Sequence, residues 1–201
     1  MKSKLFFSSA ILFLCFLLIV AIPISANAIP VDLELVLSVD VSISVLDDEF
    51  MLQRSGYEQA FRDLSIIDLI IKRGGIAATL VYWSGFDEQE VVVDWRLISD
   101  SASSNAFADE IATTNRLFQW ETGLAENMVF AANLFADNEF VGNRQVIDIS
   151  GDGVDNSDDP SEPLQPERAR DIIVSGGVVD AINGLIIGDR KSTRLNSSHY
   201  S

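Results

Sequence analysis

The stretch "LVLSVDVSISV", Leu35 to Val45, starts as a buried strand and ends with Asp40, Ser42 and Ser44 at alternate positions. A strand that enters a core keeps polar atoms out. Oxygen-bearing side chains at its carboxyl end therefore point to a ligand site, because in open α/β sheets such sites lie beyond the carboxyl ends of the strands.

Outward from that stretch, strand-like runs and helical stripes alternate. "VDLELVLSV" is polar at Asp32 and Glu34 and apolar towards its end, as a central strand is. "VLDDEFMLQRSGYEQAFRD" opens with Asp47, Asp48 and Glu49 and carries Phe50, Tyr57 and Phe61 at helical spacing. "SIIDLIIKR" is a short helical piece that Gly74-Gly75 should stop. "IAATLVYWSG" and "EQEVVVDWRLI" are strand-like runs joined by a tight Gly85-Phe86-Asp87 connection, which predicts an antiparallel hairpin. Asp100-Ser101 caps a helix through "NAFADEIATT", and "TGLAENMVFAANLFAD" places Leu124, Met128, Ala131 and Phe135 on one helix face. "RQVIDIS" is a strand, "PERARDIIVSGG" a helix with Pro166 near its start, and "VVDAINGLIIG" a last strand. The order β-α-β-β-α-α-β-α-β predicts a three-layer α/β fold, a mostly parallel sheet with one antiparallel edge strand. No helix follows the last strand, so the domain reads as truncated at its C-terminus.

Both ends read as separate from this domain. Lys2 and Lys4 precede the apolar run Ala10 to Ile22, and Pro23 and Ala26-Asn27-Ala28 follow, the pattern of a secretory signal peptide cut after Ala28. An uncleaved N-terminal anchor is the alternative. At the other end "DRKSTRLNSSH", Asp189 to His199, reads back into nucleotides that resemble a common sequencing-library adapter, so residues 189–201 are expected to be non-native. The predicted domain is then Ile29 to Gly188. It contains neither histidine nor cysteine, since His199 lies in the tail and Cys15 in the leader.

The whole chain carries a formal net charge of −16. Removing Lys2 and Lys4, and Asp189, Arg190, Lys191 and Arg194, from its 30 acidic and 14 basic residues leaves 29 against 9, a net charge of −20. Such a surface repels nucleic acid and anionic lipid, so neither is an expected partner. Without His or Cys in 29–188, Ser-His-Asp, Cys-His and zinc-hydrolase chemistries lack a base, a nucleophile or a ligand set. No catalytic residue is assigned.

Three predicted loops leave strand ends with oxygen-rich side chains: Asp40, Ser42 and Ser44 after the first strand, Thr122 in "FQWETG", and Asp152 in "SGDG". Two carboxylates and three hydroxyls are hard donors that suit Mg²⁺, and also Mn²⁺ or Ca²⁺, better than any softer metal. Taken alone, Asp40 and the two serines also fit a simpler role, capping the helix that begins near Leu46. The acids of "GDGVDNSDDPSEP" (Asp155, Asp158, Asp159 and Glu162) miss the spacing of a calcium loop and read as a solvated acidic loop. Asp148, inside a strand, reads as a hydrogen-bonded structural acid with a role near the metal as the alternative; Trp83, Trp95 and Trp120 read as core or rim aromatics.

"DVSIS" followed at long range by Thr122 and "SGDG" resembles the metal-ion-dependent adhesion site of von Willebrand factor A domains, whose pattern is Asp-x-Ser-x-Ser, then Thr, then Asp. The phrases "LELVLSVDVSISV", "LVYWSG", "VVVDW" and "VIDISGDG" resemble a family of secreted bacterial proteins of that class. The resemblance implies a Rossmann-like von Willebrand factor A fold. Ser42 and Ser44 would bind the cation through their hydroxyls, Thr122 in one conformational state, and Asp40 and Asp152 mainly through bound water. The coordination position left open would take an Asp or Glu carboxylate from a partner protein, the cation inverting the local charge logic. The expected role is thus an exported protein-binding module, secreted or periplasmic, with no membrane contact after signal removal. The alternatives are a metal-assisted hydrolase or phosphatase using Asp40 and Asp152, and a scaffold whose metal only stabilises the fold. Two positions depart from the pattern. Trp120-Glu121 replace the small residues usual before the Thr, where they would narrow the site or supply an internal ligand, and Ile43 replaces a common glycine between the serines.

Overall fold

The alternation read at Leu35 to Val45 places successive side chains of one strand in two different cores. In the computed structural model, which describes residues 28–153, 155–156 and 164–187, this strand is β2, Leu33–Asp40. Leu37 and Val39 enter the core on one face of the sheet, and Val36 enters the core on the other. The leader, residues 188–201, Asp158, Asp159 and Glu162 lie outside the described residues.

Twelve elements follow in chain order: β1 (Ile29–Val31), β2, α1 (Asp47–Arg62), α2 (Leu64–Arg73), β3 (Ile76–Trp83), β4 (Gln89–Ile98), α3 (Ser101–Thr113), α4 (Leu124–Asn133), β5 (Phe140–Gly142), β6 (Gln145–Gly151), α5 (Pro166–Ser175) and β7 (Ala181–Ile186). The main sheet has the order β4-β3-β2-β6-β7, parallel throughout except where β4 runs antiparallel to β3 at the edge. That is the predicted three-layer α/β arrangement with one antiparallel edge strand. β1 and β5 form a separate parallel pair that the sequence reading had merged into its first strand or passed over. Asp32 separates β1 from β2, its N–H donating to the Gly75 carbonyl at 2.9 Å. Glu34 is buried, and its carboxylate accepts from the Gly142 N–H at 2.6 Å and the Asn138 amide at 2.9 Å.

The helices divide between the two faces. On one, α1, α2 and α3 supply Phe50, Phe61, Ile70, Phe107 and Ile111 to the core that holds Leu80 and Tyr82 of β3. Phe61 and Phe107 meet edge to face at 4.8 Å, joining α1 to α3. On the other, α4 and α5 supply Ala125, Met128, Ala131, Ala169 and Ile173 against Val81, Trp83, Ile147 and Ile149. All eight residues of β3 are buried, and each large side chain there gains about 1.5–3 kcal/mol from leaving water. Gly74, at φ 99°, ends α2 in the left-handed conformation that its lack of a Cβ allows. Among the described residues no helix is long and apolar enough to cross a membrane.

This topology sets where a ligand can sit. From β2 the chain moves through α1 and α2 to β3 on one side, whereas β6 pairs with β2 on the other side. Between the carboxyl ends of β2 and β6 the connections part in opposite directions and leave a crevice, the usual position of a site in an open α/β sheet.

Candidate metal centre

The sequence reading's five oxygen-bearing residues meet in that crevice. Asp40 ends β2 and is fully buried. Its Oδ1 accepts from the Ser42 N–H at 2.8 Å, which folds the chain into a tight turn directly after the strand. Ser42 Oγ lies 3.0 Å from Ser44 Oγ, and Ser44 Oγ donates to Asp152 Oδ1 at 2.6 Å. Thr122 Oγ1 donates to Ser42 Oγ at 3.3 Å from the loop before α4. One chain of polar contacts thus links three loops that lie far apart in sequence.

The helix-capping alternative for these side chains does not describe the structure. The N-terminus of α1 is served by its own Glu49, whose Oε2 accepts from the Leu46 N–H at 2.8 Å. Asp40 Oδ2, by contrast, is buried without a hydrogen-bond partner. Burial pushes the Asp40 pKa up to about 6; the hydrogen bonds from Ser42 and a weaker contribution from the Asp152 backbone N–H oppose the rise, and the nearby Asp152 charge adds to it. A buried, partnerless carboxylate oxygen beside hydroxyls and a second carboxylate is the environment that a bound cation relieves. Among the described residues no three His, Cys, Asp or Glu side chains gather as a metal cluster, so hydroxyls must supply the rest of this donor set.

Backbone anchors hold the three loops in place. Ser84, fully buried at the end of β3, accepts from the Trp120 N–H at 2.9 Å and donates to the Glu121 carbonyl at 3.0 Å. Asn156 Oδ1 accepts from the Thr122 N–H at 2.8 Å, and the Asn156 N–H returns a bond to the Thr122 carbonyl at 2.9 Å. Asp155 accepts from the Leu124 and Ala125 N–H groups at 3.3 and 3.4 Å, so it caps α4 rather than standing free in a solvated loop. Gln53 of α1 bridges the two strand ends, donating to the Asp40 carbonyl at 3.3 Å and accepting from Ser150 Oγ at 2.8 Å.

Two glycines make room. A Cβ on Gly151 would stand 2.9 Å from Asp40 Oδ2, and one on Gly153 would stand 3.3 Å from Thr122 Oγ1 and 3.6 Å from Ser44 Oγ. The oxygen cluster therefore has its space because "SGDG" lacks side chains at these positions.

The side chains at the three departures from the pattern, Trp120, Glu121 and Ile43, all face solvent. Trp120 is 64% exposed and Ile43 70% exposed, and Glu121 is exposed as well. Their local contribution is through the backbone: the Ile43 N–H donates to the Trp120 carbonyl at 2.8 Å, which ties the serine loop to the threonine loop. Trp120 is a rim aromatic, Trp83 a core one, and Trp95 packs half-buried against Phe135 at 5.7 Å. Asp148 is a structural acid on β6, its pKa raised by burial against the hydrogen bond from Asn183.

A residue that the sequence reading passed over touches the site loop most extensively. Arg116 donates from Nη2 to the carbonyls of Val41, Ser42 and Val45 at 3.0, 2.5 and 2.9 Å. Its Nε donates to Val41 at 3.2 Å and its Nη1 to Asp47 Oδ1 at 3.0 Å.

Comparison with known proteins agrees with this architecture. Among solved structures, the fold is similar to that of proximal thread matrix protein 1 from the mussel byssus, with a TM-score of 0.57 at 13% identity, covering 79% of this chain and 38% of that one. A second structure of that protein, described as having a zinc-occupied MIDAS motif, matches with a TM-score of 0.57 at 12% identity over the same shares of 79% and 38%. An aerotolerance-related membrane protein from Bacteroides fragilis NCTC 9343 matches with a TM-score of 0.51 at 16% identity, covering 81% of this chain and 74% of that one. The chain thus spans about 38% of the length of the mussel protein, and at these identities the likeness is one of fold. No curated protein matches the chain significantly. A family model described as "Protein of unknown function (DUF1194)" matches residues 30–200, a span that also takes in most of the tail after Gly188. The chain belongs to the DUF1194 family, and its fold is that of von Willebrand factor A domains.

Proposed function

We propose that this chain is an exported, metal-ion-dependent adhesion-type module that binds a protein partner and carries no catalytic chemistry. Asp40, Ser42, Ser44, Thr122 and Asp152 would hold a divalent cation. The observation that carries this reading is the buried Asp40 Oδ2, left without a hydrogen-bond partner, together with the chain of side-chain contacts that joins Thr122, Ser42, Ser44 and Asp152. Three hydroxyls and two carboxylates gathered in one place are hard oxygen donors, the kind that Mg²⁺ takes. Mg²⁺ is the proposed ion, with Mn²⁺ and Ca²⁺ as alternatives. Zinc in the mussel protein's MIDAS motif supports the capacity of the fold to hold a divalent ion.

The residues divide the work by charge. Ser42, Ser44 and Thr122 bind through neutral oxygens, and only Asp40 and Asp152 bring negative charge. When bound, the cation supplies a partly neutralised positive point that attracts a carboxylate despite the acidic surface around it. Exposed Ile43 and Trp120 give apolar surface beside that point, so the proposed partner presents an Asp or Glu with apolar neighbours. Location outside the cytoplasm, secreted or periplasmic, rests on the leader sequence.

Electron paramagnetic resonance of free Mn²⁺ tests the reading. The chain is expected to remove one equivalent from solution, a Ser42→Ala/Ser44→Ala double variant is not, and an Asp-containing peptide should alter the spectrum of bound Mn²⁺. Equal Mn²⁺ uptake by the double variant would remove the serines from the proposal.

A further inference from the structure

We propose that Arg116 is the positioning residue of the metal centre, holding the serine loop in its cation-binding shape before any cation arrives. The inference rests on the metal-site reading above and adds to it a residue from outside the Asp-x-Ser-x-Ser pattern. Beyond Asp40 the chain leaves the sheet, so the carbonyls of the turn lose their ladder partners, and buried carbonyls need donors. One guanidinium supplies them. Its five donor contacts reach Val41 twice, then Ser42, Val45 and Asp47, so they span the loop from the strand end to the first turn of α1.

Three features set this contact apart from ordinary surface pairing. The Arg116 side chain is only 10% exposed, so its bonds compete little with water. It lies 6.0 Å from the centre of the Phe50 ring, which fixes the guanidinium from the α1 side. A planar fork matches several carbonyls at once, which a lysine ammonium on a flexible stem does not. The contact also has a chemical consequence. Backbone carbonyls are themselves good ligands for hard cations. With the carbonyls of Val41, Ser42 and Val45 engaged by Arg116, the loop turns its hydroxyls, and not its backbone, towards Asp40 and Asp152.

The test uses the full chain as wild type, Arg116→Gln and Arg116→Lys, with Arg54→Gln as a charge control. Arg54 lies 5.8 Å from the same Phe50 ring and donates to the Thr114 carbonyl, outside the serine loop. Thermal melts first establish that each variant is folded at the working temperature. Two readouts follow: Mn²⁺ affinity by calorimetry, and amide hydrogen exchange of Ser42, Ile43 and Val45 in chelator. Their N–H groups bond to Asp40, Trp120 and Ser42 respectively, so they report loop geometry without metal.

Both Arg116 variants should exchange these amides faster and bind Mn²⁺ roughly 10–100-fold more weakly, the usual loss when a partner behind the ligands is removed. Arg54→Gln should change neither by more than about twofold, a margin of the size expected for one distant charge. Tighter Mn²⁺ binding in Arg116→Gln, or full rescue by Arg116→Lys, would show that charge alone matters and overturn the inference. Loop amides that exchange no faster in either Arg116 variant would overturn it whatever the cation does. Absence of saturable Mn²⁺ binding in the wild type overturns the metal reading itself, which the exchange data keep separate from the clamp.

Discussion

Asp40→Asn in the metal-free protein should uncouple stability from pH at one defined position. Asp40 is fully buried, and burial raises its pKa from the ordinary 3.8 to about 6. The folded state therefore holds this proton more tightly than the unfolded state, so stability from this group is fully present below about pH 4 and is lost as pH rises through 6. At 1.36 kcal/mol per pH unit, the raised pKa costs the apo fold about 3 kcal/mol near neutrality, where the buried carboxylate is ionised, and about 1 kcal/mol near pH 4.5, where the fold holds the proton. Asparagine keeps the acceptor for the Ser42 N–H but brings an amide N–H₂ into a site with no acceptor reserved for it. That penalty, about 1–3 kcal/mol, is the same at every pH. It cancels when the wild-type and variant pH profiles are subtracted. The stability difference between them should therefore change by about 2 kcal/mol between about pH 4.5 and about pH 7.5, the wild type losing ground as pH rises. Urea unfolding in chelator across this range measures it. Added Mg²⁺ at about 100 times its dissociation constant should return about 2.7 kcal/mol to the wild type and nothing to the variant. Parallel pH profiles would refute the reasoning, because they would mean that Asp40 pays no desolvation cost in the metal-free protein.

Two further outcomes are expected. Gly151→Ala places a methyl 2.9 Å from Asp40 Oδ2, so calorimetry should find cation binding abolished and urea unfolding a stability loss of about 1–3 kcal/mol. Trp120→Ala removes an exposed side chain whose backbone bonds to Ser84 and Ile43 do not need the indole. Its stability should stay within about 0.5 kcal/mol of wild type, and its Mn²⁺ affinity should be unchanged in calorimetry.

Much of the fold was legible because its signals are local. Helical spacing in α1, the Gly74-Gly75 stop, the tight turn between β3 and β4, and Asp100 before α3 each act within a few residues. The β1 and β5 pair escaped because strands of three residues carry no periodicity, and Glu34 gives no sequence sign of the Gly142 and Asn138 donors that bury it. Asp40, Ser42, Ser44 and Asp152 were readable from alternation and from their positions after strands, whereas Thr122, expected in a loop leaving a strand, lies between α3 and α4 and was legible only through the family resemblance. The support of these residues was not readable. Arg116 lies 74 positions from Ser42 in an irregular loop with no repeating pattern, and nothing local marks it apart from other arginines. Nothing local marks Gly151 and Gly153 as the residues that leave space beside Asp40 and Thr122. Asp155 was read with its acidic neighbours as solvated, and only the approach of α4 reveals it as a cap.

The central claim is that Asp40 anchors a cation-binding centre, and calorimetric titration of the full chain with Mg²⁺, alongside Asp40→Ala, tests it most directly. The account predicts saturable binding of one ion in the wild type and none in the variant. Wild type without saturable binding, or a variant that binds equally well, would contradict it.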